Sequence, residues 1–139
     1  MPRSVGQKIG VKNDARAILI DAPDDIIKTI ALRDLKLASR LSGGFDYIHF
    51  FAESVSQLIR KFPTLKSHLR PSGMLWISWP KGGKQGSDLT LTKIIEIGYD
   101  QGLVESKTLS VDATWSAIKF TYPKKGKVYR NSYGKLKSD

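Results

Sequence analysis

Chemistry in this sequence would have to centre on one stretch, Lys81 to Asp88, which reads Lys-Gly-Gly-Lys-Gln-Gly-Ser-Asp. Its glycines let backbone amides approach a ligand closely, and its lysines supply positive charge. Ser87 and Asp88 lead towards a helix whose N-terminus also favours an anion. The spacing is not that of a nucleotide P-loop, which needs a glycine, four residues and then Gly-Lys-Ser or Gly-Lys-Thr. Gly82 stands five residues before Ser87, and Lys84 is followed by Gln85. The stretch reads equally as a weak anion cradle and as a flexible connection with solvated lysines.

Other residues are expected on the same edge. The strand ending at Val111 should run parallel to the one ending at Trp79, which brings the turn Asp112-Ala113-Thr114 beside the loop. The candidate ligand-binding set is therefore Trp79, Lys81, Lys84, Asp88, Asp112 and Trp115. An Asp112–Lys81 pair would be as reasonable structurally as functionally, and Asp88 reads first as a helix cap. Trp76 and Trp79, on opposite faces of one strand, read first as core.

No catalytic residue or metal ligand is assigned. The chain has no cysteine, which excludes a disulfide scaffold, a thiolate zinc site and a cysteine nucleophile together. His49, in a strand, and His68, near a helix end, lack obvious carboxylate partners; His49 reads as a satisfied core or edge residue. Ser78 and Ser116 lack a nucleophile-elbow context, and no metal-ligand cluster exists.

Charge is the unusual total. Lys and Arg number 23 against 13 Asp and Glu, a net +10 with pI near 9.9. From Lys119 onward there are seven basic residues against one acid, Asp139. Lys124, Lys125, Lys127, Arg130, Lys135 and Lys137, with Tyr129 and Tyr133 among them, could hold a nucleic acid weakly and without sequence preference. They read first as a solubilising end without a partner, because no RNA- or DNA-reading motif stands upstream. The N-terminus lacks a signal-peptide core and no apolar run approaches a membrane span, so a cytoplasmic protein without a membrane partner is expected.

The elements that must position these residues follow from hydropathy patterning. Ala15–Asp21, Phe45–Phe51 and Met74–Trp79 read as buried strands, the last central with parallel neighbours, and Leu35–Leu41 as an edge strand. Helices are expected over Ile26–Leu32, from Ser54 to about Leu69, and from Leu89 or Thr90 to a glycine cap at Gly102. Pro63 should kink or divide the second of these. Lys8–Asp14 is a lead-in of uncertain structure. Leu103–Val111 and Trp115–Tyr122, separated by only Asp112-Ala113-Thr114, must form an antiparallel hairpin. Residues 1–122 thus form one α/β domain: a three-layer, Rossmann-like, mostly parallel sheet ending in an antiparallel hairpin. Residues 123–139 read as a flexible basic tail.

This pattern resembles a truncated class I methyltransferase core. Phe45-Asp46-Tyr47-Ile48 resembles that family's fourth strand, and Leu69-Arg70-Pro71-Ser72-Gly73-Met74-Leu75 its approach to the fifth. A closer resemblance, up to about Tyr122, is to a small bacterial family of methyltransferase-like domains of unknown function. It is carried by Asp21-Ala22-Pro23, Leu75-Trp76-Ile77-Ser78-Trp79-Pro80-Lys81, Ser87-Asp88-Leu89, Gly102-Leu103-Val104, Val111-Asp112 and Trp115-Ser116. The resemblance implies fold more than function.

S-adenosylmethionine binding calls for a glycine-rich turn after the first strand and an acid after the second. Here the first turn, Asp21-Ala22-Pro23-Asp24-Asp25, has no glycine, and the second strand ends Arg40-Leu41-Ser42. No cofactor is therefore expected. The reading is a non-catalytic methyltransferase-like domain binding a small anion or a protein partner at the carboxyl edge of its sheet. The alternatives are a nucleic-acid-associated basic protein and a divergent S-adenosylmethionine- or nucleotide-binding enzyme.

Overall fold

The computed structural model describes residues 5–12, 14–30, 36–129 and 133–136. Buried apolar runs build a six-stranded sheet from β1 (Arg16–Ile20), β2 (Lys36–Leu37), β3 (Phe45–Phe51), β4 (Leu69–Pro80), β5 (Val104–Ser110) and β6 (Trp115–Thr121), in the spatial order β2-β1-β3-β4-β6-β5. The first four strands are mutually parallel, and β6 is antiparallel to both β4 and β5. The central strand β4 therefore has one parallel neighbour, β3, and one antiparallel neighbour, β6, where two parallel neighbours were expected. The hairpin folds back so that β6 takes the inner place and β5 becomes the edge.

Helices cover both faces. On one lie α3 (Val55–Ser67) and α4 (Leu91–Asp100), and on the other α1 (Val5–Ile9) and α2 (Asp24–Ile30). The α1 helix was not legible as one, and α2 begins earlier than its apolar residues suggested because Asp24 and Asp25 occupy its first turn. The edge strand around Leu37 shrinks to two residues; Leu32 and Leu35 lie outside the described residues.

The side chains of β4 alternate between two cores. Leu75, Ile77 and Trp79 pack with Leu58, Phe62, Ile94 and Phe120 beneath α3 and α4. Trp76 packs with Tyr47, Phe51 and Trp115 beneath α1 and α2. β4 also starts earlier than expected: Leu69 pairs with Phe45, and the register shifts before Met74 pairs with Tyr47. Gly73 is required at that bulge, since a Cβ there would sit 2.9 Å from the Phe45 carbonyl oxygen.

The α3 helix starts at Ser54, whose hydroxyl accepts from the Gln57 N–H, while the Gln57 side chain reaches back to the Glu53 N–H. Pro63 does not divide it: the helix runs through that residue as one element. Pro63 is exposed, and so is Ile59, whose carbonyl loses its intrahelical donor; water can replace a partner on that side. The α4 helix ends as its glycine suggested. Gly102 is left-handed at φ +84°, its N–H bonds to Tyr99 O, and the Leu103 N–H bonds to Gly98 O, the paired bonds of a Schellman cap.

Candidate functional site

At the carboxyl end of the sheet, two segments are stapled together. β4 stops at Pro80, and the Lys81 N–H donates to the Thr114 carbonyl at 2.7 Å. Lys81 to Gly86 then winds through successive tight turns in which Gly82, Gly83, Gln85 and Gly86 all have positive φ. Glycine meets that demand at no steric cost, and Gln85 meets it with strain. Opposite, the Asp112 carboxylate accepts from the N–H groups of Thr114 and Trp115 at 2.8 and 2.7 Å, closing the β5–β6 turn from within.

The two lysines of the loop cross to this turn. Lys81 Nζ donates to Ser110 Oγ at 2.5 Å and to the Asp112 carbonyl at 2.6 Å; Lys84 Nζ donates to the Ala113 carbonyl at 2.7 Å. Their acceptors are all neutral oxygens. Among the described residues neither ammonium has an ion-pair partner, so both charges persist at this edge.

Beside the staple lies a crevice of about 440 Å3, lined by Trp79, Lys81, Gly82, Gly83, Asp88 and Ser116 among others. It is bounded by the start of α4, capped by Thr90, whose hydroxyl accepts from the Lys93 N–H. Asp88 does not cap that helix. Its carboxylate accepts the Val55 N–H at 2.8 Å, so it closes the N-terminus of α3, a helix far away in sequence.

Of the residues expected here, Trp79, Lys81 and Asp88 line the crevice. Lys84 stands next to it, committed to Ala113. Asp112 is close to Lys81 but meets it through its carbonyl; its carboxylate is engaged within its own turn. Trp115 faces the other way, with its ring 5.2 Å from Phe51 beneath α1 and α2. In the β4–β6 register Trp79 pairs with Ser116 and Pro80 with Trp115, so Ser116 takes the position beside Trp79. Strand alternation could have revealed this, because neighbouring strand residues point to opposite faces. The tail residues Lys124, Lys125, Lys127 and Lys135 are exposed at the other end of the sheet or beyond it; Arg130 and Lys137 lie outside the described residues.

One polar cluster was missed. Tyr47, His49 and Ser78 form a buried hydrogen-bonded chain, with Tyr47 OH 2.6 Å from His49 Nδ1 and His49 Nε2 2.6 Å from Ser78 Oγ. The imidazole stacks on Phe51 at 4.5 Å. Burial holds its pKa down at about 3, so it is neutral, and burial raises the Tyr47 phenol well above its ordinary value. A neutral imidazole accepts at one nitrogen and donates at the other, so both neighbours are satisfied in either tautomer. With all three side chains sealed from solvent, the chain resembles a proton relay in composition but has no substrate access. The signal was present as Tyr47 and His49 two residues apart on one strand face, yet their partner Ser78 comes from β4.

No family model matches this chain, and no curated protein matches it by sequence. Solved structures do match. The ribosomal protein L11 methylase of Lactobacillus delbrueckii subsp. bulgaricus superposes with a TM-score of 0.55 at 14% identity, over 86% of this chain and 75% of that one. A TehB-like SAM-dependent methyltransferase from Corynebacterium glutamicum gives 0.56 at 12% identity, over 85% of each chain. The N-methyltransferase NodS of Bradyrhizobium japonicum gives 0.53 at 14%, over 86% and 91%. This is the methyltransferase fold. At these identities the likeness concerns architecture alone.

The fold implies S-adenosylmethionine, and the residues at the end of β1 do not fit it. The turn from β1 to α2 is Asp21-Ala22-Pro23, with Asp21 left-handed at φ +58° and carrying a side chain where a close backbone approach needs none. Asp24 and Asp25 then place carboxylates in the first turn of α2, and no acid stands among residues 38–42 after β2. No methyl-transfer step is derived from this site.

Proposed function

We propose that this methyltransferase-like domain is a binding module, not a catalyst, and that the crevice beside Trp79 takes a small oxyanion such as a phosphate or carboxylate group. One observation carries the reading: Lys81 and Lys84 are held by neutral oxygens, so two positive charges stay at an edge where Gly82 and Gly83 present bare backbone. A ligand oxyanion would neutralise charge that no carboxylate there neutralises, with the start of α4 adding its dipole. Asp88 keeps its negative charge on the same crevice wall, since its Val55 partner is a neutral N–H, but among the described residues it forms no ion pair with either ammonium. The Trp76-Ile77-Ser78-Trp79-Pro80-Lys81 segment supports placing the chain with the small bacterial domains it resembles.

The test is a thermal-shift and calorimetric comparison of phosphate, pyrophosphate, citrate and S-adenosylmethionine on the full chain. Pyrophosphate or citrate should raise Tm, and Lys81→Met with Lys84→Met should remove the effect. No shift with any anion sinks the reading. Micromolar S-adenosylmethionine binding would instead favour a divergent enzyme.

A further inference from the structure

The opposite, amino end of the parallel strands carries a second concentration of positive charge, independent of the crevice beside Trp79. There β6 ends and the chain turns back on itself. The Lys127 N–H bonds to the Lys124 carbonyl at 3.2 Å, and the Lys124 N–H bonds to the Tyr129 hydroxyl at 2.8 Å. Residues 124–129 are thereby folded into a loop, with Tyr129 packed against the main core. The loop walls a groove of about 600 Å3 into which Lys119, Lys124 and Lys127 converge beside Val128 and Tyr129. Glu105, the acid in this groove, is engaged by the Tyr99 hydroxyl at 3.1 Å.

This groove does not stop at the sheet's end. Lys119 and Thr121 also line a second recess of about 480 Å3, reaching Lys12, Ser72 and Gly73 beneath the start of α1's following loop. The two recesses therefore adjoin and make one track, with Lys127 and Lys124 at one end, Lys119 in the middle and Lys12 at the other. Two acids also line this recess: Asp14, and Asp46, which is committed to the Arg16 N–H and the Arg70 guanidinium, both at 2.9 Å. Lys119 has another lysine, Lys107, directly opposite it on β5. Like charges facing across a ladder are destabilising unless something screens them. Lys107 is drawn off towards the Lys8 carbonyl, which leaves Lys119 to the track.

We propose that this track binds single-stranded nucleic acid. An elongated row of cations fits an elongated polyanion better than a compact one. Lys119, Lys124 and Lys127 have no carboxylate partner among the described residues, so they are available to successive phosphates. An aromatic ring lies in the loop as well: Lys127 Nζ rides 5.2 Å above the Tyr129 ring, a cation–π contact that a base would have to displace in order to stack there. Val128, 74% exposed, gives an apolar contact beside it. Bases of a single strand can enter such recesses, whereas a duplex would offer only its convex backbone.

The experiment is fluorescence anisotropy of a labelled 12-nucleotide oligo-uridine and oligo-thymidine with the full chain across a salt series. Three to four phosphate contacts predict a log K against log salt slope of about −2 to −3. Lys124→Gln with Lys127→Gln should weaken binding about tenfold at low salt and flatten the slope by about 1.4. Lys28→Gln with Lys36→Gln removes the same charge near the opposite edge of the sheet and should change binding less than twofold. Circular dichroism confirms that each variant is folded. The proposal is overturned if binding is absent, if both double variants weaken it equally, if a duplex of the same length binds as tightly, or if polyglutamate displaces the oligonucleotide at equal charge.

Discussion

The two faces of the sheet are built from the same strands, yet they solve burial differently. Beneath α3 and α4, two helices of 13 and 10 residues cover an almost wholly apolar layer, with Phe62 edge-on to Phe120 at 5.8 Å. Beneath α1 and α2, the described helical residues number five and seven. There the strand residues seal one another: Tyr47, His49, Phe51, Trp76 and Trp115 form a connected set of ring contacts, stacked between His49 and Phe51, tilted between His49 and Trp76, and edge-on at the two ends. The same face carries the buried polar chain. A polar group in a dry layer is tolerated when every atom is hydrogen-bonded, and this one is. One face is thus sealed by aliphatic and aromatic packing under its helices, and the other by ring contacts and a fully hydrogen-bonded polar chain within the sheet itself.

The comparison breaks most visibly at Gly98. A Cβ there would lie 2.1 Å from the Phe120 ring, so α4 sits on the sheet only because that position is bare. Gly98→Val should destabilise the domain by about 3 kcal/mol through overpacking, read as a drop in the urea midpoint. A loss under about 0.5 kcal/mol would mean that the apolar face has slack.

The next effect belongs to the other face. His49 is neutral in the folded protein down to about pH 3, whereas an unfolded histidine protonates near 6.5. Above pH 6.5 neither state binds the proton and the stability is complete. As pH falls towards 3 the unfolded state gains a proton that the folded state refuses. Stability should therefore fall by about 1.4 kcal/mol per pH unit, or about 2 kcal/mol by pH 5. His49→Phe should flatten that slope; an unchanged slope would assign the acid sensitivity elsewhere.

Two serines sharpen the contrast further. Ser78→Ala leaves a buried imidazole nitrogen without its partner and should cost about 1–2 kcal/mol. Ser116→Ala, beside the open crevice, should stay within about 0.5 kcal/mol. Equal losses by chemical denaturation would erase the distinction between a structural hydroxyl and a solvent-facing one. Lys81→Met should likewise stay within about 0.5 kcal/mol, because its two acceptors are near water and can be re-solvated.

Most of this architecture is written locally. Phe45–Phe51 is a strand because aromatic and β-branched residues crowd it, and Gly102 ends α4 because a left-handed residue is needed there. What escaped depends on pairings between distant segments. Asp88 looks like the cap of the helix next to it and caps α3 instead, because the loop end is folded over the Val55 amide. Trp115 looked like a neighbour of Trp79 until the register placed Ser116 there. Pro63 passed through a helix because its side of α3 faces water, a fact that periodicity shows only once the buried face is known. The loop lysines could be located from sequence, but their acceptors could not.

The sheet ends in two unequal borders. Among the described residues, β2 offers Lys36 and Leu37 on one side; on the other, β5 is interrupted where Glu105 and Lys107 flank an unpaired Ser106. Neither border gives another molecule a long, flat row of amides and carbonyls to copy, and each places a lysine where a second strand would have to lie. A sheet so rich in aromatic residues would otherwise be prone to growing by accretion of its own copies. The irregularity of the β5 rim guards the protein against fibrous self-association, and restoring a regular β5 by deleting Ser106 would remove that protection.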